Sequence, residues 1–369
     1  MDIIFVLKGS LEGLPPMIPR IIHFAKQKDI KVSLICSYVA PSNLKVLESF
    51  GVKCYQIKHR TRLFGFKFKI LDWLGFRWGC KKILKSLGGG DYIYVCSADT
   101  AICLWGIINK FKYVFQANEL YDKFIFYKFC IKYVVRNAVE FVVPEFCRAN
   151  IFMTWYNLKK APIVIPNIPI LTNSDVKQDI SNLEAQNIIN KLSDKKIILY
   201  QGYINSGDRS LSVISRVLKK INNSDFVFVL MGIDQNNSIR QLIDIYEYTY
   251  YIPFVTPPQH LEITSHAYIG VLSYDRVSLN NIFCAPNKIY EYSSYGIPML
   301  GNDIPGLRYC IDIQKMGKTV DYNNENKVMA AILEIDANHY SYSANSRSFY
   351  AKENLNTMLD NLISILRLN

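Results

Sequence analysis

The chain has 369 residues, half of them apolar and 20% charged, which excludes a disordered or collagen-like polymer and suits about two domains. Lysine and arginine exceed aspartate and glutamate by 43 − 31 = 12, and the excess is uneven: residues 1–165 carry 25 basic and 11 acidic side chains, residues 166–369 carry 18 and 20. A charge serving solubility alone would be spread over both halves, so an anionic partner is expected on the first.

In chain order, the pattern predicts alternating strands and helices. Ile3–Leu7 is a continuous apolar run, as in a strand covered on both faces. Met1 to Lys8 lacks the basic lead of a signal peptide and is read as that first strand. A loop from Lys8 to Gly13 precedes a helix running to about Lys28, its entrance marked by Pro15, Pro16 and Pro19. Strands follow at Lys31–Cys36, Val52–Ile57, Asp91–Cys96, Lys112–Gln116, Phe141–Val143 and Ile163–Ile165, with helices at Leu44–Phe50 and Thr100–Asn109. Residues 171–195 are polar and read as a linker region, helical in its second part. A second alternation then places strands at Lys196–Gln201, Phe226–Met231, Tyr268–Ser273, Pro298–Gly301 and Thr319–Asp321. Its helices are Leu211–Ile221, Lys288–Tyr295, Ile304–Ile311 and Lys327–Ile335. The expected architecture is α/β: two Rossmann-like, doubly wound parallel sheets with a cleft between them. The domains are set at 1–170 and 196–340, and a C-terminal helix within 341–369 is expected to pack across them.

No apolar run is long enough to predict a membrane span. The nine cysteines form no Cys-x-x-Cys pair and sit mostly in apolar runs, which points to core thiols in a reducing cytoplasm rather than disulfides or a thiolate zinc site. The five histidines show no metal-ligand spacing on a helix.

The most informative segment is Ala285-Pro286-Asn287-Lys288-Ile289-Tyr290-Glu291-Tyr292, continuing to Gly296-Ile297-Pro298. Asn287 is placed to cap a helix and Pro286 to restrict the chain before it. Unpaired N–H groups at a helix start suit a phosphate, Lys288 adds a full charge, and Glu291 is an acceptor able to hold two neighbouring hydroxyls. The plainer alternative is a surface helix with an ion pair. In Tyr200-Gln201-Gly202-Tyr203 and on to Arg209, a strand ends in glycine and a cation follows at a helix start. Glycine lets backbone approach a ligand, and Arg209 could grip two phosphate oxygens. A solvated arginine is the alternative.

These motifs, Pro-Asn-Lys-x-x-Glu-Tyr, then Gly-x-Pro, then Asp303-Ile304-Pro305-Gly306-Leu307-Arg308, resemble the donor-site region of nucleotide-sugar glycosyltransferases of the GT-B fold. They are most similar to bacterial retaining enzymes of glycosyltransferase family four, which build surface polysaccharides such as capsule and O-antigen. The likeness extends in outline to Phe115–Tyr121, Val143–Ala149 and Val164–Asn167. It implies that Arg209 and Lys288 stabilise a departing diphosphate. Glu291 would bind ribose, with Gly202, Gly232, Pro286, Asn287 and Tyr290 lining the donor pocket. Asn118 and Glu119 would stand near the acceptor, as would a loop with Gly9 and Gly13. It implies no metal and no cofactor beyond the nucleoside diphosphate sugar, and the sequence has no Asp-x-Asp motif. Phe283 stands where many members carry a second Glu, Asn118 where some carry His, and Arg209 is alone where many pair Arg with Lys.

Residues 51–90 hold ten Lys or Arg against one Asp, interleaved with Phe64, Phe66, Phe68, Trp73, Phe76 and Trp78; Tyr121–Arg136 repeats the mixture. Cations with aromatics suit an anionic membrane surface. They also suit single-stranded nucleic acid, but no nucleic-acid-binding signature accompanies them. The combined expectation is a peripheral enzyme on the inner face of the plasma membrane, transferring a hexosyl residue to a lipid-linked, polyprenyl-diphosphate-borne glycan. A nucleotide-sugar epimerase of the same fold, or a degenerate non-catalytic partner of an active transferase, are the alternatives.

Overall fold

Residues 1–58, 62–63, 66–67, 69–169, 177–205 and 211–368 are described in a computed structural model of the chain. Fifteen strands run in chain order among these residues. They are β1 (Asp2–Ser10), β2 (Lys31–Tyr38), β3 (Lys53–Gln56), β4 (Arg62–Leu63), β5 (Phe66–Lys67), β6 (Tyr92–Val95), β7 (Tyr113–Gln116), β8 (Glu140–Val143), β9 (Ile163–Val164), β10 (Lys196–Ile204), β11 (Phe226–Asp234), β12 (Thr249–Pro253), β13 (Ile269–Leu272), β14 (Met299–Asn302) and β15 (Gly317–Val320).

The chain divides into two units, residues 1–167 with 354–369, and residues 168–353. In the first, seven strands form one sheet in the order β3-β2-β1-β6-β7-β8-β9, every pairing parallel. Side chains from Ile3 to Leu7 are all buried, because helices cover both faces of the sheet. Phe5 stacks on Tyr94 of the neighbouring strand with ring centroids 4.7 Å apart. The second unit holds six parallel strands in the order β12-β11-β10-β13-β14-β15. Its core lies in two layers, one on each face: Leu199, Val229 and Tyr292 in one, Phe228, Leu230 and Ile332 in the other.

Strand order reverses between β1 and β6 in the first sheet and between β10 and β13 in the second. Such reversals open a crevice at the carboxyl ends of the strands, where open α/β sheets take ligands. The doubly wound fold class read from the sequence is therefore the observed one.

Several elements differ from expectation. The 341–369 segment is two helices, His339–Lys352 and Leu355–Leu368. The first helix ends at Glu353 in extended backbone, and Asn354 starts the next by accepting from the Thr357 N–H at 3.0 Å. The second helix belongs to the first unit, where Tyr92 donates its hydroxyl to the Leu366 carbonyl at 2.8 Å and Arg367 pairs with Asp29. Residues 171–176 of the expected linker lie outside the described residues; its second part is the helix Leu183–Lys191, seated in the second unit by Ala185 and Ile189. Gly9 is not in a loop but near the end of β1, where the register with β2 shifts, and Gly13 closes a short 3-10 turn. Edge strand β12 carries no clear apolar alternation, and the sequence pattern passed over it. None of the nine cysteines forms a disulfide, and burial pushes thiols such as Cys80 up to about 12.

Candidate functional site

The helix Asn287–Ser294 begins just past the reversal point of the second sheet. Its N-cap is Pro286, so Asn287 is the first helical residue rather than the cap, and Pro286 makes no side-chain cap bond. Pro286 supplies the extended backbone (φ −73°, ψ 138°) that an N-cap needs, but it has no side-chain acceptor.

Lys288 on the first turn crosses the strand ends. Its Nζ lies 4.5 Å from the ring centroid of Tyr200 in β10 and 5.5 Å from that of Tyr274, which follows β13. A Cβ built on Gly202 would lie 3.5 Å from the same Nζ, so the ammonium sits over the backbone at the end of β10. Gly202 itself has φ +133°. Gly232, its register partner in β11, has φ +144°, and a Cβ there would meet the Gly202 carbonyl oxygen at 1.8 Å. Only glycine lets these two strand ends run side by side in this conformation.

Glu291, one turn further on, is 5% exposed. Its Oε2 accepts from Gln201 Nε2, and its Oε1 faces His260 Nε2 at 3.3 Å. Gln201 is itself buried and accepts from the Thr264 hydroxyl at 2.8 Å. The carboxylate is thus fixed by two side chains from other elements, with lone pairs left over for further donors. The surface ion pair between Lys288 and Glu291 that the sequence allowed is not the arrangement found: the carboxylate turns inward to Gln201 and His260. Tyr292, beside it, is wholly buried, donates to the Leu199 carbonyl, and is held far above the usual tyrosine range by burial. Tyr290 packs its ring against Phe349, 5.8 Å between centroids. Phe283 ends the short helix Leu279–Ile282. Arg209 lies outside the described residues.

In the first unit, Asn118 follows β7. Its Nδ2 donates to the Cys96 carbonyl at 3.0 Å and its Oδ1 accepts from Gln116 Nε2 at 2.6 Å, which ties the ends of β6 and β7 together. Its backbone carbonyl accepts from the buried Arg148, whose Nη1 is also 3.6 Å from Glu119. Glu119 is half-exposed, and Tyr121 just beyond has φ +54° with its ring stacked on Tyr127 at 4.6 Å. Glu145 caps the helix Phe146–Tyr156 by accepting from the N–H groups of Cys147 and Arg148. Arg20, fully buried, reaches Gln116 and the carbonyls of Ile165 and Pro166. Near β1, Glu12 accepts from the Ala40 N–H, from Asn43 and from Ser10. Burial pushes its carboxyl up, but these bonds outweigh that and leave it below the usual range.

Gln201, His260, Thr264, Arg20 and Arg148 received no role from the sequence. His260 and Thr264 are four apart on one helix face, which is the only local signal for two of them. The others depend on contacts far along the chain.

Among the described residues, no three His, Cys, Asp or Glu side chains come together as a metal-binding group. No described helix is long and apolar enough to cross a membrane. The first unit does expose large apolar side chains: Ile70, Leu74 and Trp78 along one face of the helix Lys69–Ser86, and Phe124, Ile125, Phe126, Phe129 and Tyr133 at the helix Ile125–Asn137. Trp105 lies between them, its ring 5.6 Å from Tyr133 and its carbonyl bonded to Arg77.

No family model matches the chain, and no curated protein matches it by sequence. Solved structures do match over its whole length. HepE of Anabaena in complex with UDP-glucose superposes with a TM-score of 0.72 at 10% identity, covering 100% of both chains. WaaG, a glycosyltransferase involved in lipopolysaccharide biosynthesis, gives 0.67 at 12%, covering 99% of each. A Listeria monocytogenes protein assigned as a UDP-N-acetylglucosamine 2-epimerase gives 0.68 at 12%, covering 99% of this chain and 95% of that one. The chain shares with them the GT-B fold.

Proposed function

We propose that this protein is a nucleotide-sugar glycosyltransferase. It moves a hexosyl residue, with retention, to a hydroxyl of a polyprenyl-diphosphate-linked glycan in bacterial surface polysaccharide synthesis. One observation carries the reading: Lys288 is held over the Gly202 backbone at the strand reversal, one helical turn from the buried carboxylate of Glu291. This is a cation for a diphosphate and an acceptor for ribose hydroxyls at the place where such sheets bind nucleotides. HepE, of the same fold, is described in complex with UDP-glucose, and WaaG acts in lipopolysaccharide synthesis.

In the proposed step, the bond from the sugar C1 to the diphosphate oxygen breaks as the acceptor oxygen bonds C1 from the same face. The acceptor proton passes to the departing diphosphate. Lys288 and Arg209 stabilise the charge that develops there, and no metal is invoked. Glu291 orients the ribose, with Gln201 and His260 holding the carboxylate. Asn118 and Glu119 serve the acceptor. The exposed aromatic residues of the first unit, with Lys81, Lys82, Lys85, Lys128 and Lys132 on the same helices, support docking on anionic lipid at the inner leaflet.

Thermal unfolding with uridine, guanosine and thymidine diphosphates and their sugars tests the reading. One base should raise the melting temperature, and Lys288→Ala should abolish the rise. No response to any of the three would overturn it.

The His260–Glu291 contact favours a second reading, because an imidazole beside a carboxylate can remove and return a proton. An epimerase would exchange a sugar C–H for deuterium in heavy water without any acceptor. A transferase would leave that position unexchanged and transfer or hydrolyse the sugar.

A further inference from the structure

Strand β10 runs apolar from Ile197 to Tyr200 and then sets Gln201 in the interior, 5% exposed. In register with it are Met231 of β11 and, beyond that, Ile252 of β12, both buried and apolar. A buried amide is costly unless its hydrogen bonds are made, so packing alone would favour a third apolar side chain here. The amide instead has a partner at each end. Its Nε2 donates to Glu291 Oε2, and its Oε1 accepts from the Thr264 hydroxyl at 2.8 Å. Thr264 is wholly buried and lies one helical turn beyond His260, whose Nε2 faces the other Glu291 oxygen at 3.3 Å. Thr264, Gln201, Glu291 and His260 therefore close a ring drawn from one strand and two helices.

The sheet holds that ring in register. Tyr292, next to Glu291, donates to the Leu199 carbonyl at 3.1 Å, two residues before Gln201. Its ring lies against Gly270 of β13, where an added Cβ would meet it at 2.4 Å. The helix Asn287–Ser294 cannot slide along the sheet without losing both contacts. A carboxylate offers about four lone-pair sites, two on each oxygen. Gln201 occupies one on Oε2 and His260 faces one on Oε1, which among the described residues leaves one on each oxygen. One open acceptor per oxygen matches two neighbouring hydroxyls and is more than a single hydroxyl satisfies.

We propose that Gln201 and Thr264 are positioning residues that make this site select ribonucleotides over 2′-deoxyribonucleotides. The inference rests on the reading of Glu291 as the ribose acceptor. Thr264 fixes the direction of the Gln201 amide: with the hydroxyl bonded to Oε1, the Nε2 end meets Glu291. Gln201 in turn fixes which lone pairs of the carboxylate stay open, so both residues act through Glu291. A ribose brings two hydroxyls to the two open positions. A 2′-deoxyribose leaves one position unmet, and an unmet polar group away from water is costly. The donor class is then a ribonucleoside diphosphate sugar, and a thymidine diphosphate sugar, which lacks the 2′-hydroxyl, is disfavoured.

The test is calorimetry of the full chain with uridine and guanosine diphosphates and their 2′-deoxy counterparts. The native chain should bind the ribonucleotide of its preferred base about tenfold more tightly than the deoxy form. Gln201→Met should bring that ratio to within about threefold by weakening the ribonucleotide alone. In that variant the Thr264 hydroxyl keeps an acceptor, the His260 carbonyl at 3.0 Å. Thr264→Val should lower the ratio less, in the same direction, and Thr264→Ser should keep it. The Thr264 pair carries the test if Gln201→Met fails to fold. An unchanged ratio in Gln201→Met and Thr264→Val would overturn the proposal. So would equal weakening of both nucleotides, the mark of a merely structural role, or a Thr264→Ser chain that behaves like Thr264→Val. Binding of the diphosphates with no ribose preference in the native chain would sink this inference alone, whereas no binding of any of them would sink the glycosyltransferase reading with it.

Discussion

Each sheet places a lysine where its strand order reverses, and the two lysines are treated differently. In the first unit, Lys8 near the end of β1 donates to Asp72 at 2.6 Å and lies 5.7 Å from the Trp73 ring, while its N–H donates to Thr100. The charge is cancelled within its own unit. In the second, Lys288 is set against the faces of Tyr200 and Tyr274 and the Gly202 backbone. An aromatic face can hold a cation in place through its ring electrons. One topology thus sets a lysine against a carboxylate in one unit and against two aromatic rings in the other, and a few side chains decide which.

The comparison can be broken most directly at Lys288. Lys288→Ala should lower kcat/KM for sugar transfer by about 10²- to 10³-fold, the usual loss when a cation or donor serving developing charge is removed. Unfolding midpoints should stay close to wild type; a variant with full activity would refute the contrast. Next in size is Gly232→Ala. With the Gly202 carbonyl 1.8 Å from the new Cβ, the strand ends must separate, and a stability loss of about 3 kcal/mol or more is expected from denaturant titration. Replacing the exposed Trp78 and Phe126 by Ser should weaken sedimentation with anionic vesicles by about tenfold, with donor-induced stabilisation of the second unit unchanged. Unaltered vesicle binding would remove the first unit's proposed role. Lys8→Ala should cost about 1–2 kcal/mol and leave nucleotide binding alone, because it removes one partner of a mostly buried, charge-assisted hydrogen bond.

The smallest effect concerns acid. Glu12 has its folded-state pKa below the ordinary value of 4.5, since the bonds from Ser10, Ala40 and Asn43 outweigh burial. Its contribution to stability is present above that ordinary value and is lost as pH falls through the depressed one. Glu12→Gln should therefore flatten the stability profile only in this acid window, by a fraction of what a buried pair would show.

The strands were legible because parallel strands covered on both faces read as apolar runs, as Ile3–Leu7 and Phe226–Met231 do. The edge strand Thr249–Pro253, half-covered, sends no such signal. At the site, Lys288 and Glu291 were legible because their spacing is local to one helix. What Glu291 touches was not, since Gln201 and His260 lie 90 and 31 residues away and meet it only through the sheet. The helix cap was misjudged for a related reason: Asn287 has the better side chain, but Pro286 holds the extended backbone. The break between the last two helices escaped because both stretches suit helix, and only Asn354 marks the join.

That join carries a consequence for biosynthesis. The chain leaves the first unit after Asn167 and re-enters it at Asn354, so the second unit is an insertion within the first. On the ribosome the inserted unit can condense as soon as it emerges. The surrounding one stays without its closing helix, and with Tyr92 and Asp29 unmet by Leu366 and Arg367, until residues 355–368 have also been made.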